Sequence, residues 1–339
     1  MSLLVRPARV SDKPALMAIA KKVWDGNDYL PVFFEKWVRD VGFRVAEDQG
    51  RVVGCGKATH FGQGEWWLEG LRIDPDRQGH GMGTKLSFAI LARTLEYRPK
   101  SLRLSTAEVN EDSIRIIGRM GFEPIVASHL FWGGPRDITH FRNRGQSCSE
   151  ACPRFRDRVP SPRRVTAYEA LDYLAAHDEL GLNCGLLPHT WKFREVTPRY
   201  MAELERRGCL FGVRERIGTD RWEHREASRL DAPVCHSDRS GGISARRARG
   251  DDPCRLAGLL IVQPHLYDPR NLDIGFVSGD TRVLAAFRRF IVAHVRRNRG
   301  SGFAGMATGP EMRRAFERLG MKPERGIGHV LVFEYAGGK

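Results

Sequence analysis

Long apolar runs are missing from this 339-residue chain. No stretch approaches the ~18 uninterrupted apolar residues of a membrane span. The segment from Met1 to Pro7 has no basic stretch leading into an apolar core, so neither a spanning helix nor a secretory leader is expected. Paired cysteines are missing too. Seven Cys stand at 55, 148, 152, 184, 209, 235 and 254, an odd number at irregular spacings, which speaks against a disulfide framework and for a reducing cytoplasm. No C-x-x-C occurs. Cys148 and Cys152 share one polar stretch and Cys235, His236 and Cys254 another, a pattern too loose for zinc, so no metal is expected.

Lysine is scarce, with ten residues against 45 arginines and a formal net charge of +14. A basic balance invites a nucleic-acid reading. The arginine skew arises as readily from a GC-rich genome, and much of the charge falls outside the regular elements, so nucleic acid is not the expected partner. What is present is ordinary globular material: a hydrophobic fraction of 41% is enough to bury cores, and the length suits two of them.

Residues 1–132 alternate strand and helix signals in the order β-α-α-β-β-β-α-β-α-β. Strands are expected at 3–6, 43–46, 52–59, 66–73 and 102–105, helices at 15–24, 32–39, 81–97 and 111–120, and a closing strand pair around 123–132. Residues 133–164 hold eight Arg, three acids and four Pro, the composition of a linker. A second alternation fills 165–339. It is interrupted over 218–255 by eight Arg and seven acids with almost no apolar residues, which reads as a disordered insertion. Its later part repeats the second half of residues 1–132: Arg115-Ile-Ile-Gly-Arg-Met-Gly-Phe-Glu-Pro124 is echoed by Arg314-Ala-Phe-Glu-Arg-Leu-Gly-Met-Lys-Pro323. The fold class is α/β (α+β), one mixed-sheet fold written twice.

Between the strand at 66–73 and the following helix lies Arg77-Gln78-Gly79-His80-Gly81-Met82-Gly83-Thr84. Alternating glycines let the backbone turn tightly, while a new helix points free N–H groups and its positive dipole end outward. That is a seat for a pyrophosphate, with Arg77 adding charge. A dinucleotide-binding fingerprint would place such a loop after the first strand, not the fourth. Glu69, on the strand before the loop, is a candidate base, with Glu65 in reserve; alternation places Glu65, Trp67, Glu69 and Leu71 on one face. Pairing with a basic group is the competing role for Glu69.

The loop, as Gln78-x-x-Gly81-x-Gly83, resembles the acetyl-coenzyme A-dependent GNAT N-acetyltransferases, and the element order of residues 1–132 follows theirs. The resemblance implies a mixed central sheet and acetyl-CoA as co-substrate. It places the pyrophosphate on the amides of Gly79 to Thr84 and pantetheine along the main chain of Leu71, Arg72 and Ile73. The family also has Asn, then Tyr seven residues later, then Gly-Phe. Asn110, Gly121 and Phe122 match, but Ile117 replaces the tyrosine that serves there as general acid. Asn110 then has two roles open to it, reaching the pantetheine or capping a helix.

Acceptor specificity in such folds comes from the segment between the first two helices, here Asn27-Asp28-Tyr29-Leu30-Pro31. Asp28, Tyr29 and Trp67 are the candidate substrate contacts. This segment, Trp37 and Leu68-Glu-Gly-Leu-Arg-Ile-Asp-Pro75 are locally similar to the vertebrate histidine N-acetyltransferase type, which implies a free amino acid as acceptor. In the second half the loop position holds Ser278-Gly-Asp280, with an acid that would repel a pyrophosphate, and Gly309 and Phe316 replace the Asn and Tyr. This copy reads as degenerate, bracing the first or closing over the acceptor. The leading expectation is transfer of acetyl to the primary amine of a small molecule. A protein acceptor, and a non-catalytic acyl-CoA sensor with a basic face for nucleic acid, are the alternatives. Oligomeric state leaves no trace in the sequence.

Overall fold

The computed structural model describes residues 3–135, 161–177, 183–216 and 254–337. The expected linker and insertion, with Cys148, Cys152, Cys235 and His236, lie largely outside the described residues.

The first half runs β1 (Leu4–Pro7), α1 (Lys13–Ala20), α2 (Leu30–Trp37), β2 (Phe43–Asp48), β3 (Arg51–Gly62), β4 (Glu65–Ile73), α3 (Met82–Leu95), β5 (Ser101–Ala107), α4 (Glu111–Arg119) and β6 (Phe122–Gly133). Local chemistry explains the boundaries. Gln49 and Gly50 adopt positive φ of 49° and 76°, the two-residue turn whose twist suits a β-hairpin, and so join β2 to β3. Pro14 and Pro31 stand in the first turns of α1 and α2, where a missing N–H costs nothing.

The second half runs β7 (Arg163–Arg164), α5 (Ala167–Ala175), β8 (Leu186–His189), β9 (Lys192–Glu195), α6 (Pro198–Arg206), β10 (Leu210–Arg216), β11 (Cys254–Pro264), β12 (Leu272–Gly279), α7 (Thr281–Arg297), β13 (Phe303–Ala307), α8 (Pro310–Arg318), β14 (Lys322–Pro323) and β15 (His329–Tyr335). The apolar stripe of α7, Val283, Phe287, Ile291 and Val295, is wholly buried against the sheet, as its spacing predicts. The sequence echo is structural as well. In each copy a glycine at nearly the same positive φ, Gly121 at 83° and Gly320 at 84°, ends the helix and turns the chain into a strand.

The halves share one sheet of 13 strands, ordered β1-β2-β3-β4-β5-β15-β6-β13-β12-β11-β10-β7 with β14 also on β6. The closing strand pair expected near 123–132 is not a pair. β6 is a single 12-residue strand, and its partner comes from the far end of the chain: β15 lies between β5 and β6, from His329 opposite His129 to Tyr335 opposite Phe122. The outer end of β6 then pairs with β13, Phe303 opposite Gly133. Val330 and Val332 are fully buried on this shared seam, which is where two edges that would otherwise stand open are closed. Among the described residues no helix is long and apolar enough to cross a membrane.

Candidate functional site

The site begins at an interruption in β4. Pairing with β3 runs Cys55 to Arg72 and Lys57 to Glu69, so Gly70 and Leu71 together oppose the single residue Gly56. This is a β-bulge, and Gly70 carries it at φ +72°, where a side chain would also strike the Trp37 ring. The extra residue overturns the simple alternation read from the sequence. Glu65, Trp67 and Glu69 share a face, but the bulge brings Arg72 onto it in place of Leu71.

β4 and β5 run parallel and pair only from Glu65 opposite Ser101 to Trp67 opposite Arg103. Beyond that point β4 no longer pairs with β5, while β15 runs along the other edge of β5 from Arg103 to Ala107. The splayed strands leave a cleft with unpaired main chain along β4, the edge that an extended ligand adds to. A cavity of about 750 Å³ opens there, lined by Leu68 to Leu71, Leu104 to Ala107, and by Asn110, Ser113, Ile116 and Ile117 from the start of α4.

Gly81 at φ +70° precedes α3, the helix whose Ser87 and Ile90 line the cavity, and no side chain caps this helix. Its first amides are left to an external acceptor. Cβ atoms built at Gly79 and Gly81 meet nothing within 4 Å, so the loop is open space bounded by backbone. Gln78, Gly79, His80 and Gly81 are exposed, whereas Met82 packs into the core. Arg77 is half-exposed and 3.9 Å from the buried Asp48. α1, α2 and α8 likewise lack a side-chain cap, whereas α4 and α7 have one. Asn110 Oδ1 accepts from the Ser113 amide and caps α4, and Asp280 Oδ1 accepts from the Val283 amide and caps α7. Of the roles open to Asn110, capping is therefore observed, and the second copy's loop satisfies its own helix. Phe316, where the family has tyrosine, is fully buried and would clash with any side chain at Gly305.

Glu69 lines the cavity, and its Oε1 accepts from Thr59 Oγ1 at 2.5 Å and from Lys192 Nζ at 2.6 Å. Lys192 belongs to the second half. It opens β9, beyond the turn that links β8 to β9, and this hairpin covers one face of β4: Phe193 stacks on Trp67, the Glu195 amide donates to Glu65, and Lys192 reaches Glu69. Lys57, the partner of Glu69 on β3, donates to the carbonyls of Val41 and Ala58, and burial pushes its ammonium down to about 8. Lys57, Glu69 and Lys192 are the charged side chains of the cavity wall.

Glu65 does not reach this cavity. Its carboxylate lies between Arg103 at 3.2 Å and Arg194 at 3.8 Å, and burial raises its pKa above the usual carboxylate range. It ties the halves together. Asp28 is likewise diverted: Arg72 Nε and Nη2 each donate to it at 2.5 Å, and its Oδ1 accepts from the Leu30 amide. Both side chains of the pair are 1% exposed, so Asp28 has no face for an acceptor, and Arg72 anchors the segment between α1 and α2.

Tyr29 does line the cavity. The Arg72 guanidinium stands over one side of its ring at 4.3 Å, and Tyr267 stacks on it at 4.9 Å with the planes 13° apart. Trp24 closes one flank of this aromatic wall, and Trp67 and Trp191 also border the cavity. Lys192, Trp191 and Tyr267 escape a sequence reading because they lie more than 100 residues beyond β4 and carry no motif.

Residues 14–122 match the model of the acetyltransferase (GNAT) family, a span that holds β4, the loop and Asn110. Residues 14–122 therefore carry a GNAT acetyltransferase domain. Over 85 residues, 24% of this chain and 25% of the relative, the sequence is 33% identical to the histidine N-acetyltransferase of Scomber australasicus. Over 103 residues, 29% of this chain and 33% of the relative, it is 30% identical to the mycothiol acetyltransferase of Acidimicrobium ferrooxidans. The chain thus spans a quarter to a third of the length of these curated relatives. Among solved structures, a tandem GNAT protein from the clavulanic acid biosynthesis pathway aligns over 100% of both chains with a TM-score of 0.52 and 14% identity, a likeness of fold.

Proposed function

We propose that the protein moves the acetyl group of acetyl-CoA to the primary amine of a small molecule, a free amino acid of the histidine kind, by direct attack with Glu69 as base. The observation that carries this reading is the position of Glu69, on the bulged strand beside the splayed cleft and inside a cavity that the second half roofs with Trp191, Lys192 and Tyr267. A roofed cavity of about 750 Å³ suits a small acceptor better than a polypeptide.

Acetyl-CoA, when bound, supplies the thioester. The uncapped amides at the start of α3 and the glycine loop hold its pyrophosphate, and the free edge of β4 holds its pantetheine arm by backbone pairing. A main-chain N–H on that edge stabilises the oxyanion that develops as the amine attacks. Glu69 takes the proton the amine must lose. Ile117 offers no proton to the departing thiolate, which is a fair leaving group because a thiol's pKa lies near ~8.5. In this reading residues 1–132 are the catalytic unit and 165–339 the degenerate copy that closes over the acceptor.

The test is an amine and amino-acid panel given to the full chain with acetyl-CoA and a free-thiol readout. Glu69→Gln is expected to lower kcat/KM for the best acceptor by ~10²–10⁴ while leaving acetyl-CoA binding intact. Unchanged turnover would remove Glu69 as base, and no response to any amine would remove the reaction.

A further inference from the structure

A primary ammonium already faces the base. Lys192 Nζ lies 2.6 Å from Glu69 Oε1, with a side chain only 16% exposed, so the wall presents an adjacent cation and anion in one partly dry space. A free α-amino acid is the complement of that pair, since it carries its own ammonium and carboxylate on a single carbon. Docked with its amine on Glu69, it brings its carboxylate next to Lys192.

The ion pairs agree. Lys57 Nζ has Asp40 at 3.7 Å and donates to the carbonyls of Val41 and Ala58, whereas Lys192 donates to Glu69, the bond that an arriving amine would compete for. An acceptor in its reactive form, with a neutral amine and an ionised carboxylate, brings a negative charge that can take the place of Glu69 on Lys192. An amine without a carboxylate leaves Lys192 with its partner claimed by the substrate, and a desolvated cation left unpaired is costly.

The second half also holds Lys192 in place. Thr190, two residues earlier in the turn, adopts φ +55°, a conformation that a β-branched residue rarely takes. Its hydroxyl is hydrogen-bonded to the buried Asp273 of β12, and the Leu266 amide donates to the same hydroxyl, next to Tyr267. The Ser105 hydroxyl donates to the Trp191 carbonyl at 2.6 Å from the other side. The turn that carries Lys192 is thus pinned to both halves.

We propose that Lys192 is a carboxylate-binding residue of the acceptor subsite, so that the second copy of the fold selects free α-amino acids over amines, amides and peptide N-termini. This rests on the acetyl-transfer reading above. The test compares one accepted amino acid with its α-amide, for turnover and for binding to the full chain in the presence of CoA. Wild type is expected to favour the acid by about tenfold to a hundredfold, the worth of a charge-assisted hydrogen bond. Lys192→Met should bring the ratio near one, and Lys192→Arg should retain most of it. Taking the ratio cancels any change in the basicity of Glu69, which both substrates share. Equal use of acid and amide by wild type, or a preference that survives in Lys192→Met, overturns the proposal. If the acid binds selectively through Lys192 and no acetyl is transferred, the subsite stands and the reaction falls. If Lys192→Met does not fold, the comparison of acid and amide on wild type still decides.

Discussion

The rings of Tyr29 and Tyr267 lie 4.9 Å apart and 13° from parallel, although 238 positions separate them in the chain. Tyr29 comes from the first half and is backed by Arg72, while Tyr267 follows β11 in the second half. Burial raises the pKa of both phenols above the usual tyrosine value, so both rings stay neutral across the working range. A neutral stacked pair at a cavity wall acts through its surface and its flatness. Tyr267→Ala should raise the acceptor KM about two- to tenfold, the worth of an aromatic pair, and leave the acetyl-CoA KM unchanged. Tyr267→Phe should behave like wild type. Steady-state kinetics with each substrate varied in turn checks this, and an equal rise in both KM values would place the ring elsewhere in the mechanism.

At the loop, Gly81→Ala should cost little in packing, because the added methyl meets nothing within 4 Å. It must nonetheless hold φ near +70°, which costs an L-residue ~1–2 kcal/mol. Relaxation of that strain turns the first amides of α3 away from the anion. The expected outcome is a fall of several-fold to about tenfold in CoA affinity by calorimetry, with the melting temperature lowered by only a few degrees. A collapse in stability with unchanged affinity would contradict the assignment.

Asp28 makes a different prediction. Removing it strands the Arg72 guanidinium, of which Nη1 already has no partner, in an interior with no other anion bonded to it. Asp28→Ala should lose about 3–5 kcal/mol in denaturant unfolding. Adding Arg72→Met should restore part of that loss, since the buried charge is then gone. Additive losses in the double mutant would show that the pair is not coupled.

A pH signature is expected at Asp273, whose carboxyl is buried beside the Thr190 hydroxyl and is pushed up to about 7. The folded state binds this proton more tightly than the unfolded chain does, where the value is ~3.9. The contribution to stability is therefore complete below about pH 4, falls as pH rises, and is lost above about 7. His189, with Nε2 at 3.7 Å from Asp273 and its own pKa pushed down to about 4 by burial, slopes the other way below its normal value. Asp273→Asn removes only the first slope. The melting-temperature gap between wild type and Asp273→Asn should thus shift in favour of the variant from pH 5 to pH 8. A pH-independent gap would show that Asp273 is not titrating there.

Much of the first half was legible because its signals are local. Asp48-Gln49-Gly50 announces a hairpin, Pro14 and Pro31 open helices, and the glycines after Ile73 announce an anion seat. The bulge at Gly70 is a partial case. A lone glycine inside a strand pattern signals a bulge, yet strict alternation across it puts Leu71 where Arg72 belongs. The roles of Asp28 and Glu65 were not legible, because their arginine partners are 44 and 38 residues away, too far for any pattern to pair them. Nor was the place of β15, since periodicity says that residues 329–335 form a strand but not which edge receives it.

That edge sets the order of events in the cell. During synthesis β5 and β6 are complete long before residues 329–335 exist, and they have no neighbour between them until those residues emerge. Unpaired strand edges are the usual route to misassembly. The first half therefore waits until residues 329–335 have been made, and a transcript cut short before them yields a first half with its central seam unzipped.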